Sequence, residues 1–324
     1  MSSSAIRTDL LLCAAFAILV LAGPARAQPS GQGDDESAAL VDEGRAALTA
    51  GALDDAAKAL DQAIALNPRR VEAYVLRAAV YAARKQYAQG IALLRKAERL
   101  SPGDEEVMTA LGSQLVLAGD VATGVPMLLA VTGKNAARYD AQVLLGHHFH
   151  GLARWTESIT AFEAYFAHRP RALAREDARH RIDLADAYLR ARQPATAREL
   201  FRKALAEKGP RGDLRAQMGI AWATAAIDCR QARPLLDQLA PVAPQHPEVW
   251  LVDGQCALVL GDPAGALVLG RRFLDRKASA AGHALVGEAL AARGNLPEAK
   301  RSFETARKLE PARRRWTVRL AVVL

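Results

Sequence analysis

The sequence repeats a pattern of apolar and polar positions with a period of 34 residues. Pro68, Pro102 and Pro170 mark this period, since they are separated by 34 and 68 residues. Within each period, apolar or small residues fall at positions 4, 7, 8 and 11 and again at 20, 24 and 27, which is the spacing of one helix face. A proline near position 32 cannot continue a helix and ends the second segment. The pattern therefore predicts one helical hairpin in every 34 residues.

Residue size within the pattern predicts how the two helices of a hairpin pack. Small residues at positions 8 and 20 allow the helices to approach closely, and a large residue at position 24 fills the space beside that contact. In the first four periods the residues at positions 8, 20 and 24 are Gly44, Ala56 and Leu60; Ala78, Gly90 and Leu94; Gly112, Gly124 and Leu128; and Gly146, Ser158 and Phe162.

The turn between the two helices carries its own signal at position 15. Glycine readily adopts the left-handed backbone angles that end many helices, and a following Asp or Asn can cap the next helix with its side-chain oxygen. We therefore predict such turns at these places: Gly51; Gly119 with Asp120; Gly261 with Asp262; and Gly294 with Asn295.

The hairpins fill most of the chain, although their register slips after residue 170. The predicted all-α architecture is a solenoid of about eight hairpins over residues 37–313. A short disordered segment at 28–36 precedes it, and a capping helix at 314–324 follows it. The predicted units are 37–70, 71–104, 105–138, 139–172, 178–211, 212–246, 247–279 and 280–313.

Residues 1–27 follow a different pattern, typical of a secretory signal peptide. Arg7 precedes an apolar run from Leu10 to Ala22, which is too short to span a hydrocarbon layer about 30 Å thick. Ala25 and Ala27 are small residues of the kind found before a signal-peptidase site, so we predict cleavage after Ala27. The mature chain is then expected in the periplasm or outside the cell.

Two cysteines remain after this cleavage, Cys229 and Cys256. In an oxidising exported compartment they are a disulfide candidate, and stacked neighbouring hairpins could bring them within the required Cα separation of about 4.4–6.8 Å. The alternative is two buried thiols. Cys13 would leave with the signal peptide; a lipid anchor there is disfavoured because bulky Leu12 precedes it and most of the apolar run follows it.

With small residues at positions 8 and 20, often at 27, and a proline near 32, the mature chain resembles the tetratricopeptide repeat family over nearly all its length. The resemblance implies a right-handed superhelix whose first helices line a groove that receives a peptide or a helix of a partner protein. Positions 2, 5, 9 and 12 of each unit would face this groove. The groove residues that we single out are Arg45, Val75, His147, His150, Arg179, Asp186, Arg190, Leu251 and Glu288.

The stretch GHHFHG at 146–151 raises the question of a metal site. By register Phe149 packs inward, whereas His147 and His150 face the groove one helical turn apart. They could hold zinc or copper, with Asp186 as a conceivable third ligand. Partner contact, or no special role, is favoured over a metal because the spacing permits a metal without demanding one. We therefore predict no cofactor.

Charge is distributed unevenly along the chain, whose net charge is +8. Residues 28–68 hold eight acidic and two basic side chains, whereas 168–215 hold thirteen Lys or Arg and seven acidic side chains. Two molecules could therefore associate through an acidic N-terminal part and a basic middle part. An excess of this size does not by itself indicate a nucleic-acid partner.

No local signature of catalysis is present, such as a nucleophile with its base, paired carboxylates or a glycine-rich phosphate loop. We therefore predict a non-catalytic scaffold of the cell envelope, which binds a protein or peptide within an assembly, secretion or polysaccharide-export machine. One alternative is a carbohydrate-binding or polysaccharide-modification accessory protein, which would need exposed tryptophans. By register Trp222 and Trp250 pack inward, which disfavours it. The other alternative is metal binding through the two groove histidines.

Overall fold

A computed structural model describes residues 32–170, 177–208, 213–311 and 319. Sixteen α-helices and one short 3₁₀ helix make up most of these residues, which include no strand. The predicted all-α hairpin repeat is thereby confirmed. The signal peptide predicted at 1–27 lies outside the described residues, and so does the capping helix predicted at 314–324 except for Arg319.

The first compact unit of the chain ends at Ala174. The described part of this unit forms four helical hairpins, in which each helix packs against the next. The helices are α1 (Gln32–Thr49), α2 (Leu53–Leu66), α3 (Val71–Ala83), α4 (Tyr87–Leu100), α5 (Glu105–Ala118), α6 (Val121–Lys134), α7 (Tyr139–Gly151) and α8 (Trp155–His168).

The second compact unit begins at Arg175. Its described part forms four further hairpins, and a 3₁₀ helix at Ala240–Val242 extends the connection between the second and the third. The helices are α9 (Asp177–Arg190), α10 (Pro194–Lys208), α11 (Leu214–Ile227), α12 (Cys229–Leu239), α13 (Glu248–Val259), α14 (Pro263–Arg276), α15 (Ala280–Ala292) and α16 (Leu296–Leu309).

Helix α1 begins five residues before the predicted start of the first unit. Residues 32–36, predicted to be disordered, are therefore helical, and residues 28–31 lie outside the described part. Asp34 and Asp35 lie in the first turn of α1, where carboxylates interact favourably with the positive end of the helix dipole. In addition, Arg70 donates a hydrogen bond of 2.7 Å to the backbone oxygen of Asp34. The next hairpin therefore supports this extra turn.

The predicted close contact between positions 8 and 24 is present within several hairpins. A Cβ atom added at Gly146 would lie 2.9 Å from the ring of Phe162, and one added at Gly287 would lie 3.0 Å from Phe303. Position 20 contributes as well, because the hydroxyl of Ser158 donates a hydrogen bond of 2.9 Å to the backbone oxygen of Gly146. The large side chain therefore fills the space that the glycine leaves open.

The turns between paired helices share one backbone geometry. Gly51, Gly119, Gly261 and Gly294 have positive φ angles between 77° and 96°, as predicted. The predicted caps are also present, since Asp120, Asp262 and Asn295 each accept a hydrogen bond from a backbone N–H of the following helix. The same turn recurs without glycine at Lys85, Ala153 and Arg192, whose φ angles are 59°, 56° and 62°.

The first helices of successive hairpins contact one another within each unit. In the first unit α3 contacts both α1 and α5, and α5 contacts α7; in the second unit α11 contacts both α9 and α13, and α13 contacts α15. An interior first helix is therefore covered on both sides as well as by its own hairpin partner. In α3 this leaves nine of thirteen residues buried.

We predict opposite effects for two glycine-to-alanine substitutions in this unit. Gly146→Ala should lower the free energy of unfolding by about 1–3 kcal/mol, because its methyl group would press on Phe162. Gly133→Ala, in α6, should be neutral or raise it by up to about 1 kcal/mol, since nothing lies within 4 Å of an added Cβ and alanine favours helix. Urea unfolding of both variants checks this. Equal effects would show that Phe162 does not limit the size of residue 146.

We also predict that Ala153→Gly stabilises the chain. A residue other than glycine pays about 1–2 kcal/mol for left-handed backbone angles, and the greater freedom of glycine in the unfolded chain offsets about half of that gain. The midpoint of urea unfolding should rise by the equivalent of about 0.5–1 kcal/mol. Gly51→Ala, at the same place in the first hairpin, should have the opposite effect. An unchanged or lower midpoint for Ala153→Gly would contradict this account.

Candidate partner-binding groove

In the first unit, two of the predicted groove residues are buried. Val75 is only 2% exposed and His147 only 8%, so neither offers much surface to a partner. The reason is the packing of neighbouring first helices described above, which covers groove positions in the interior of the array. Arg45 remains half-exposed, but it forms ion pairs with Asp42 and with Glu72 of the next hairpin. Val75 and His147 therefore do not line an open groove, contrary to the prediction from the sequence.

The histidine stretch packs against aromatic rings of its own hairpin. The ring of His147 meets the ring of Phe162 edge-on, with centroids 4.9 Å apart, and His150 meets Trp155 in the same manner at 5.4 Å. Burial, with a smaller effect from the positive charge of Arg154, lowers the pKa of His148. Within the described residues, no three His, Cys, Asp or Glu side chains group as they would around a metal ion. These histidines therefore contribute to packing in this hairpin.

In the second unit, three first helices enclose a pocket of about 500 Å³. Three predicted groove residues lie around it: Asp186 and Arg190 on α9, and Leu251 on α13. We refer to this space as the α9–α13 pocket. It is lined by Asp186, Leu189, Arg190, Trp222, Ala225, Ala226, Cys229, Glu248, Leu251, Val252, Gln255, Cys256 and Val259.

The walls of the α9–α13 pocket are mainly apolar. Trp222 of α11 and Val252 of α13 both pack against the apolar cluster that contains Cys229 and Cys256, and both also line the pocket. At the rim, Val259 is 76% exposed. Apolar side chains left uncovered around a concave site are a feature of surfaces that receive another molecule.

Charged side chains lie at the edge of the pocket in pairs. On α9, Arg190 Nε lies 3.4 Å from Asp186 Oδ1. On α13, Glu248 accepts a hydrogen bond of 2.5 Å from Lys277. Burial raises the pKa of Glu248, but the hydrogen bonds from Lys277 and the backbone, with nearby positive charges, bring it below its ordinary value. Glu248 is therefore ionised at neutral pH, and the rim carries both signs of charge.

The remaining groove predictions lie elsewhere in the second unit. Arg179 is half-buried on α9. Glu288 lies on α15 and forms an ion pair with Arg319, whose guanidinium is 3.2 Å away. Partner binding by these groove residues stays a prediction.

Trp222 packs inward as the register predicts, and it is also a pocket residue that the register does not identify. It was predicted to pack inward together with Trp250; both are half-buried, but Trp222 also forms part of the pocket wall. Ala225 and Ala226 follow it on α11 and line the same wall. Small residues one helical turn after a tryptophan leave part of its ring uncovered, and this signal was available in the sequence.

Cys229 and Cys256 lie at disulfide distance, with Cα atoms 5.1 Å apart. Cys229 begins α12 and Cys256 lies in α13, so the pair joins two successive hairpins. Both residues line the α9–α13 pocket. The disulfide would therefore hold one wall of the pocket in place.

Comparison with known proteins now bears on the family. A tetratricopeptide repeat model matches residues 41–105, 143–213, 182–227 and 225–281, which together are more than half of the chain. The chain belongs to the tetratricopeptide repeat family. Proteins of this family bind other proteins or peptides and are generally non-catalytic scaffolds. The comparison with curated proteins gives no match.

Several solved tetratricopeptide repeat structures are similar to this chain. One from Parabacteroides merdae is 13% identical with a TM-score of 0.46, covering 90% of this chain and 99% of its own. YrrB, a tetratricopeptide repeat protein with an unusual peptide-binding site, is 19% identical with a TM-score of 0.40, covering 55% of this chain and 88% of its own. A chain of the APC/C hetero-tetramer Cut9–Hcn1 is 11% identical with a TM-score of 0.51, covering 91% of this chain and 57% of its own. At this identity the likeness shows the fold alone.

No helix within the described ranges is both long enough and apolar enough to cross a membrane.

We predict that loss of the Cys229–Cys256 pair destabilises the second unit of this repeat protein. Closing a loop over a sequence separation of 27 residues is worth about 3 kcal/mol. The double variant Cys229→Ala, Cys256→Ala should therefore unfold at lower urea than the oxidised wild type. A reductant should lower the wild-type midpoint and leave the variant unchanged. Identical midpoints for oxidised and reduced wild type would contradict a stabilising disulfide.

Proposed function

We propose that this chain is an exported scaffold that holds a segment of a partner protein in the α9–α13 pocket. The observation that carries the proposal is the pocket itself, an apolar concavity with paired charges at its rim on the first helices of three successive hairpins. Its volume of about 500 Å³ falls within the range of roughly 300–1,000 Å³ that is common for binding pockets. A pocket of this size suits a few side chains of a peptide or helix.

The chemistry of the walls favours a segment with an apolar anchor. Leu251, Val252 and the face of Trp222 offer aliphatic and aromatic contact, and buried anchors of this type supply most of the binding energy at protein interfaces. A sugar would require many hydrogen-bonding groups around its hydroxyls, whereas Gln255 is the single uncharged amide among the lining side chains. The pocket therefore favours a peptide over a carbohydrate.

The pocket is also held in shape before a partner arrives. The cysteine pair fixes α12 against α13, and the ion pairs at the rim restrict the long side chains of Arg190 and Lys277. A pre-formed site loses less conformational entropy on binding than a flexible one, which favours affinity.

The exported location rests on the sequence of residues 1–27 and gains support from the cysteine pair. Disulfides persist in oxidising compartments outside the cytoplasm. We propose that the scaffold acts in the cell envelope, as part of an assembly, secretion or polysaccharide-export machine. Fractionation of the producing cells tests the location, because recovery of the processed chain in the cytoplasm would contradict it.

Site-specific crosslinking tests the pocket. A photo-crosslinker at Gln255, which lines the pocket, should capture one protein from a cell-envelope fraction. The matched control is the same group at Gln238, an exposed residue of α12 that does not line the pocket. Adding Leu251→Glu to the chain with the crosslinker at Gln255 should reduce capture by at least about tenfold, because the substitution places a charge in the apolar wall.

Comparing capture from Gln255 with capture from Gln238 separates binding in the pocket from non-specific binding. Equal capture from Gln255 and Gln238, or capture that survives Leu251→Glu, would contradict the proposal. A melting curve of the Leu251→Glu variant shows whether its fold is intact. An unchanged melting midpoint makes the loss of capture a property of the pocket.

A further inference from the structure

Part of the positive charge in the basic middle part of the chain is ion-paired in the folded protein. Residues 168–215 are the most basic stretch of the sequence, and four of their arginines pair with carboxylates of the same stretch. A paired charge presents a weaker field to a partner than a free one. The pairs within this region are Arg181 with Asp177 and Glu207, Arg190 with Asp186, Arg202 with Glu199, and Arg215 with Asp183.

A dense group of unpaired cations lies on α14 and α16, the second helices of the last two hairpins. These helices carry seven exposed cationic side chains, and within the described residues none of the seven forms an ion pair. We call this surface the cationic face. It comprises Arg271, Arg272, Arg276, Lys300, Arg301, Arg307 and Lys308.

The cationic face points away from the packed side of both helices. On α14, Ala266, Gly270 and Phe273 are buried, and on α16, Ala299 and Phe303 are buried. The helical period places the cations on the opposite side, where three carboxylates of the two helices only partly offset them. These carboxylates are Asp275, Glu298 and Glu304.

Exposed aliphatic side chains accompany the cations. Val268 lies one turn before Arg271 and Arg272 on α14, and Leu309 follows Lys308 at the end of α16; both are exposed. By contrast, the aromatic residues of these helices are buried. The face therefore lacks the exposed rings on which nucleic-acid bases stack, and it offers cations with short apolar side chains between them.

We propose that the cationic face binds an anionic lipid surface. Each Lys or Arg close to such a surface gains favourable electrostatic energy, and exposed aliphatic side chains can enter the boundary between headgroups and acyl chains. The interaction goes beyond the proposed partner binding, since it uses the second helices of the hairpins and none of the residues that line the pocket.

A second copy of the chain is a weaker complement to this face. The acidic N-terminal hairpin holds the densest group of carboxylates, but several of them are already paired with arginines. These pairs are Asp42 with Arg45, Asp54 with Arg84, and Asp61 with Arg77. Carboxylates already paired with arginines offer seven unpaired cations a weaker field than the phosphates of an anionic lipid surface do, so we favour the lipid surface.

Vesicle sedimentation of the full chain tests the proposal. One vesicle type is phosphatidylcholine alone, and the other contains roughly one third phosphatidylglycerol. The wild type should bind the anionic vesicles at least about tenfold more tightly, and this preference should largely disappear at about 0.5 M salt because exposed charges are then screened. Any apolar affinity of the N-terminal segment appears with both vesicle types, so the difference between them reports charge.

Two variants with equal loss of charge separate the face from net charge. The face variant carries Arg271→Gln, Arg272→Gln, Arg301→Gln and Lys308→Gln. The control variant carries Lys58→Gln, Arg95→Gln, Arg99→Gln and Lys134→Gln, which remove four exposed, unpaired cations of the first unit. The face variant should lose at least about tenfold in binding to anionic vesicles, and the control no more than about twofold.

Three results would overturn the proposal. The first is a wild-type chain that binds the anionic vesicles no more tightly than the phosphatidylcholine vesicles. Equal losses in the two variants would show that net charge alone drives binding. Salt-sensitive self-association that disappears in the face variant, without vesicle binding, would assign the face to a second copy. Pocket crosslinking at Gln255 can succeed or fail independently of each of these results.

Discussion

The structure depends on one contact, repeated along the chain, between a small residue on the first helix of a hairpin and a large residue on the second. Gly146 leaves the space that Phe162 fills, and the hydroxyl of Ser158 bonds to the backbone oxygen of that same glycine. Dense packing at this point fixes both the distance and the register of the two helices. Because the contact recurs, each hairpin presents similar surfaces to its neighbours and the array can continue.

The pocket arises where this regularity is weakest. Helix α12 is short, and the chain needs a 3₁₀ helix at Ala240–Val242 before the next hairpin begins. The apolar cluster there includes Cys229 and Cys256, which lie at disulfide distance and link the two hairpins. Trp222 is then only partly covered, and its free surface forms one wall. A binding site and a covalent reinforcement thus occur at the same departure from the repeat.

The sequence predicts the fold well because the period, the small residues and the turn glycines are local signals. It does not predict the turns at Lys85, Ala153 and Arg192, since their left-handed angles are imposed by hairpin geometry and not by residue type. Nor does it predict the burial of Val75 and His147, which depends on the neighbouring first helices. The α9–α13 pocket requires three hairpins to be stacked, and single-helix register placed only Asp186, Arg190 and Leu251 near it.

The distribution of surface charge also cannot be predicted by counting charged residues along the sequence. Four arginines of the basic stretch, among them Arg181 and Arg215, are ion-paired in the fold, whereas the seven cations of the cationic face form no ion pair within the described residues. In the hairpin formed by α13 and α14, the first helix contributes to the apolar pocket and the second carries part of the cationic face. Helical periodicity separates the two surfaces, so a partner held in the pocket would leave the cationic face uncovered. Such a division allows one scaffold to hold a protein while it rests on an anionic lipid surface.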